Sequence, residues 1–169
     1  METFIRECGD CTVCCNMTSI DDTLTDGTKL IKEGGENCGY LNKNCTGCSL
    51  YEMRPKTCRS FDCSWLQGYG STDDRPNKNG LLVYEQDINN GHWIIFLETK
   101  ENAILNSKSI VEDIMNKKNT AGIVVEYGSE DFIGDLTVVK NKDLERAKTM
   151  VGEKVGMINE DIGVYKLIR

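Results

Sequence analysis

A chain of 169 residues with nine cysteines and a net charge of −7 has room for one domain, or for a small cysteine-rich lobe fused to an ordinary one. Its acidic balance removes the basic footprint that nucleic acid requires, and no polybasic run offers itself to an anionic membrane. No apolar stretch approaches the roughly 18 residues of a membrane span and METFIRECGD lacks a signal-peptide core, so a soluble, cytoplasmic protein with no membrane or nucleic-acid partner is expected.

All nine cysteines fall between Cys8 and Cys63. In a reducing compartment clustered thiols point to metal rather than to disulfides, and an odd number would leave one thiol over. Residues 1–66 also carry few large apolar side chains, the usual state of a unit held by metal. The run opens as Cys8-x2-Cys11-x2-Cys14-Cys15. Two cysteines across a tight turn can aim both sulfurs at one ion, and Gly9-Asp10 supplies the turn chemistry. Cys14 and Cys15 are adjacent, and adjacent side chains diverge. They therefore suit two ions, or a dinuclear site, better than one.

Further along, Asp26-Gly27 and Gly34-Gly35 are breakers, and a short helix over 26–33 is expected to bury Leu30 and Ile31. Cys38-Gly39-Tyr40-Leu41 reads as a ligand on a turn or short strand, and Cys45-x2-Cys48 repeats the knuckle spacing. Pro55 fixes its own φ and pushes Arg54 away from helix, which presets the approach of Cys58. Arg54 and Arg59 bracket the last ligands, where cationic donors would offset thiolate charge. Phe61, Trp65 and Leu66 can close an apolar cap over the sulfurs.

Residues 67–80, rich in Gly, Asp and Asn, read as a polar loop between lobes. In the remainder, Leu81–Tyr84 and Trp93–Leu97 are strand-like runs joined by Asn89-Asn90-Gly91, hence a hairpin. Ser109-Ile110-Val111-Glu112 has the form of a capping box, opening a helix that buries Ile110, Val111, Ile114 and Met115. Strands are expected at Ile123–Val125, Leu136–Val139 and Val164–Ile168. A helix is expected from Asp143 to Val151, with Leu144, Ala147, Met150 and Val151 inward. The fold class is thus α+β: an irregular, metal-stabilised cysteine lobe over 1–66, a loop over 67–80, and a small α+β lobe over 81–169 built on an antiparallel sheet.

The order C-x2-C-x2-CC, then C-x-Y-L, then C-x-L-Y-E-x-R-P-x-x-C-R-x-F-x-C resembles the YkgJ-type cysteine-cluster proteins, a zinc- or iron-chelating domain with the CxxCxxCC signature. Residues 8–66 carry the likeness, and the RP-x-x-CR piece with its upstream Cys48-Ser49-Leu50-Tyr51 is its most specific part. The resemblance implies metal ligands at Cys8, Cys11, Cys14, Cys15, Cys38, Cys48, Cys58 and Cys63. Eight is what two four-cysteine sites need, which leaves Cys45 as the extra, able to displace Cys8 or Cys63. The family leaves zinc and iron open. It includes iron–sulfur oxidoreductases, and a related cluster occurs in flagellin lysine methylases.

His92, the only histidine, reads as a surface residue of the hairpin turn, so a His–Cys catalytic zinc pattern is absent. Asp73 and Asp74 read as solvated loop carboxylates, and no Lys-Ser/Thr follows Gly34-Gly35 to make a phosphate loop. Three functions compete. The first is a protein holding two structural zinc ions, whose α+β lobe recognises a protein partner or substrate. The second is an iron–sulfur protein with oxidoreductase or electron-transfer activity. The third is a zinc store with labile sites.

Overall fold

The computed structural model describes residues 6–88, 90–118, 122–125 and 134–168. The chain divides between Asp62 and Cys63 into two units, Met1–Asp62 and Cys63–Arg169.

In the first unit, helix α1 (Val13–Met17) is followed by strands β1 (Ile20–Thr23) and β2 (Lys29–Lys32), a 3-10 turn (Tyr51–Met53) and helix α2 (Lys56–Ser60). β1 and β2 form an antiparallel hairpin that pairs Ile20 with Lys32 and Thr23 with Lys29. The expected helix over 26–33 is therefore a turn and a strand. Gly27 sits at φ +90°, its amide donates to the Leu24 carbonyl, and Asp26 Oδ1 accepts from Thr28 N at 2.8 Å. A left-handed glycine held in such a turn reverses the chain instead of starting a helix. The change of period also changes what is inside: Ile31 is 64% exposed, whereas Lys32 is 5% exposed. Ile20 and Leu24 are the aliphatic residues buried in this unit among those described, a thin core.

The second unit begins with a 3-10 turn (Thr72–Asp74) and helix α3 (Pro76–Asn79). It continues through β3 (Leu81–Ile88), β4 (Gly91–Glu98), α4 (Ala103–Asn106), α5 (Lys108–Lys117), β5 (Gly122–Val125) and β6 (Leu136–Lys140). After a 3-10 turn (Asn141–Asp143), α6 (Leu144–Ala147), β7 (Val151–Met157) and β8 (Ile162–Leu167) complete it. The six strands form one sheet in the order β3-β4-β5-β6-β8-β7. The β3–β4 hairpin forms as the alternation predicts, Leu81 opposite Glu98 and Ile88 opposite Gly91. The sheet is mixed rather than purely antiparallel, because β4 and β5 run parallel. A parallel pair needs a crossover, and α4 with α5 supplies it.

α5 buries Ile110, Val111, Ile114 and Met115, the four residues its periodicity marks. It starts at Lys108 and its N-cap, Ser107, makes no side-chain capping bond, so the box expected at Ser109 does not form. Glu98 does similar work for α4: its buried carboxylate accepts from Ile104 N at 2.7 Å, satisfying an amide at a helix start. Phe96, Ile94, Val111, Val124, Val138, Ile162 and Val164 have essentially no exposure and form the centre of the core.

Two expectations fail here. Residues 67–80 are not a loose polar loop. The Trp65 indole donates to the Ser71 carbonyl at 2.8 Å, and Asp113 accepts from Gly70 N at 3.0 Å. Asp74, expected to be solvated, is buried and accepts from both the amide and the hydroxyl of Ser71 at 2.7 and 2.8 Å. The helix expected over 143–151 stops at Ala147. Met150 lies exposed, and Val151 opens β7 by pairing with Leu167. Pairing with β8 overrides the local helical pattern, as tertiary context often does.

Candidate functional site

The first unit holds eight of the nine cysteines, and short local devices fix the backbone around several of them. The amide of Cys11 donates to the Cys8 carbonyl at 2.9 Å around Gly9, which has φ +53°; this is the tight turn that Gly9-Asp10 announced. Cys14 and Cys15 follow on α1. That helix is closed at its end by Thr18, whose amide and hydroxyl both donate to the Cys14 carbonyl. Cys38 is fixed to α1 directly, its amide donating to the Cys15 carbonyl at 3.1 Å.

The segment 41–48 is a knuckle closed by a Leu41–Cys48 bridge. Asn42 organises its tip, its side chain accepting from Thr46 N at 2.8 Å. Cys45 stands at that tip with φ +52° and is exposed, whereas Cys48 at the base is partly buried. The Thr12 hydroxyl donates to the Cys45 carbonyl at 2.9 Å, so the knuckle is tied to the start of α1 through its backbone while the Cys45 side chain is in solvent. Cys58 sits in the middle of α2. Asp22 of β1 anchors α2, its Oδ2 accepting from Thr57 N at 2.9 Å and from Thr57 Oγ1 at 2.7 Å.

The electrostatics show which thiols are near one another. Cys14 donates its proton to the Cys15 sulfur; this bond, then burial, then the fields of Cys15, Cys8 and Cys11 push the Cys14 thiol up. The same bond pulls Cys15 down to about 7 against its burial, helped by Lys32 and Arg54. Cys58 is pushed up to about 11 by burial and then by Cys15 and Cys38, with Cys48 adding to them and Arg54 opposing. Cys8 and Cys11 thus act on Cys14, and Cys15, Cys38 and Cys48 act on Cys58. The adjacent pair Cys14-Cys15 does not diverge as its spacing led one to expect: the two thiols are hydrogen-bonded to each other.

Lys32 is the member of this site that the sequence did not announce. Buried on β2, its ammonium donates to the carbonyls of Glu36, Glu33 and Asn16 at 2.9, 3.0 and 3.4 Å. Burial lowers its pKa, while Cys38, Cys15, Glu36 and Cys14 oppose that shift. Arg54 is extended, as the following proline requires. Its guanidinium donates to the Tyr51 carbonyl at 2.9 Å and lies 3.6 Å from the Tyr51 ring centroid, with its field reaching Cys15 and Cys58. Arg59 is exposed. Cys63 is buried and belongs to the second unit, as do Trp65 and Leu66.

None of the nine cysteines is in a disulfide. Among the described residues no group of three or more His, Cys, Asp or Glu side chains is set closely enough to hold a metal ion. The donor set nevertheless has the chemistry that zinc takes: sulfur only, unoxidised, partly buried, with two cations beside it.

No family model matches the chain, and no curated protein and no solved structure gives a significant match to it. His92 is on β4, half exposed, with Nδ1 2.8 Å from Asp87 and Nε2 2.7 Å from Glu85. Glu85 also accepts from Lys118 at 2.7 Å. The imidazole is thus an ion-pair member on the sheet and has no thiol beside it among the described residues. No described helix is long and apolar enough to cross a membrane.

Proposed function

We propose that this chain is a metal-binding protein whose first unit is held together by zinc on cysteine thiolates. The reading rests on one observation above the others. The fields of Cys15, Cys38 and Cys48 all act on Cys58, which supports a reading in which thiols from four segments serve one ion. Cys15, Cys38, Cys48 and Cys58 would hold one ion, and Cys8, Cys11 and Cys14 would contribute to a second. Cys45, exposed at the knuckle tip, stands outside both.

A closed four-thiolate site supplies folding energy rather than reactivity. Zinc affinities of about 10–16 kcal/mol in cysteine-rich peptides equal or exceed the 5–15 kcal/mol stability of a typical domain. In a unit with so little aliphatic core, that is enough to decide whether it folds. Lys32 and Arg54 would orient carbonyls and screen the thiolate charge. The acidic surface and the second unit then leave a protein partner, not nucleic acid, as the object of recognition.

Elemental analysis of protein produced anaerobically without added metal tests this. Colourless protein with about two zinc per chain is expected. Cys58→Ser should lose about one equivalent together with amide protection over 14–60, and Cys45→Ser should keep both ions. Retention of full zinc content by Cys58→Ser would overturn the assignment. Brown protein with visible absorption would replace zinc by an iron–sulfur cluster on the same thiols.

A further inference from the structure

The second unit contains a cavity of about 440 Å³ between α6 and the sheet, within the size range of small-molecule sites. We propose that it binds a monocarboxylate with an apolar or aromatic body.

The walls set the body. Trp93, Ile123, Val139, Ala147 and Leu167 are among the side chains that line it. The one wall hydroxyl among the described residues, Thr137, is already spent, donating to the Gly122 carbonyl at 2.7 Å. A sugar or other polyol would bury hydroxyls against these walls without partners, at a cost of roughly 1–3 kcal/mol each. An apolar body loses nothing there and can lie on the Trp93 ring.

The charges set the head. Three cations line the cavity: Lys118, Lys140 and Arg146. Lys118 is engaged by Glu85 at 2.7 Å. Lys140 and Arg146 have no ion-pair partner among the described residues. One acid, Asp143, lines the same space. Among the described residues, two unengaged cations against one carboxylate leave a surplus of one positive charge, in a protein whose net charge is −7. A monoanion matches that surplus, and the planar fork of Arg146 suits a carboxylate in particular.

The test compares three probes on the full-length protein by amide and methyl NMR: 4-phenylbutyrate, its neutral counterpart 4-phenylbutan-1-ol, and acetate. Saturable shifts at the Trp93 indole, Ala147 and Met150 are expected with phenylbutyrate at sub-millimolar Kd, about tenfold weaker binding of the alcohol, and none of acetate. The double substitution Lys140→Gln, Arg146→Gln should weaken the acid by about tenfold while leaving the alcohol unchanged. Lys140 is partly exposed and Arg146 exposed, so the variant's unperturbed core resonances serve as its folding control. Three results would each refute the proposal: no saturation up to about 10 mM, equal affinity for acid and alcohol, or a folded double variant that binds the acid like wild type.

Discussion

Replacing Lys32 by methionine removes an ammonium from the first unit and keeps most of the apolar stem. Two of its hydrogen bonds, to Glu36 and Glu33, are 2.9 and 3.0 Å long; the third, to Asn16, is 3.4 Å and adds little. Each good bond from a charged donor contributes about 1.5–3 kcal/mol, so the gross loss is about 3–6 kcal/mol. Relief of the ammonium's desolvation returns part of this, since burying an unpaired charge costs several kcal/mol. The bonds win, because the variant removes the ammonium donor from the Glu36 and Glu33 carbonyls, and a net destabilisation of about 2–3 kcal/mol follows.

Hydrogen exchange is the right assay, because it reads each segment separately. The amides of Gly35 and Cys38, which donate to Met17 and Cys15, lie beside the substituted site. They should exchange about 30- to 150-fold faster in Lys32→Met, with β4 peptides as the internal reference. Unchanged or slower exchange there would mean that the ammonium is a burden on the hairpin rather than its clasp.

Asp22→Asn should free the start of α2. In the native protein the Asp22 carboxyl is held down at about 2, chiefly by the Thr57 amide and then by its hydroxyl. Its contribution is therefore complete above the ordinary carboxylate range and is lost as pH falls through about 2; the Thr57 amide resonance should follow pH in that window in wild type and not in the variant. His92 is raised above its ordinary value, first by Glu85 and then by Asp87. Its ion pairs are thus complete below the ordinary histidine pKa and are lost as pH rises through the raised value. An NMR titration should show that midpoint fall towards about 6.5 in Glu85→Gln. Phe96→Ala, at the fully buried centre of the second unit, should cost about 3–5 kcal/mol in urea unfolding followed by Trp fluorescence; a cost below about 1 kcal/mol would contradict its place in the core.

What could be read beforehand follows from where local pattern and tertiary pairing agree. β3, β4 and α5 were legible because their apolar periods match the surfaces they bury. β7 was not: Val151–Met157 alternates nothing, being exposed through Gly152–Val155, and only its pairing with β8 makes it a strand. The first hairpin misled for a related reason. Leu30 and Ile31 look like a buried pair until strand parity turns Ile31 outward and Lys32 inward. In the site, spacing was sufficient to place the Cys8–Cys11 turn and the Cys45–Cys48 knuckle, because backbone turns of that length have few forms. It could not reveal Lys32 or Asp22, whose partners lie up to 35 residues away in the chain.

The buried lysine also bears on which state of the thiols the unit is built for. Neutral thiols offer an ammonium almost nothing, and burial alone depresses Lys32; such a residue is tolerated at a cost unless negative charge lies beside it. Cys15, Cys38 and Cys14 are the groups whose ionisation would supply that charge, and Arg54 reaches Cys15 and Cys58 from its own segment. Four thiolates around a divalent ion carry two net negative charges, and Lys32 with Arg54 carries two positive ones. Under the proposed metal reading the site is close to neutral when loaded, and without the ion the two cations face Glu36 and thiols of which Cys15 alone is lowered, to about 7. The same pair of side chains therefore gains attraction when the thiols ionise around an ion, which is how a unit with two buried aliphatic residues among those described can make its folding depend on its ligand.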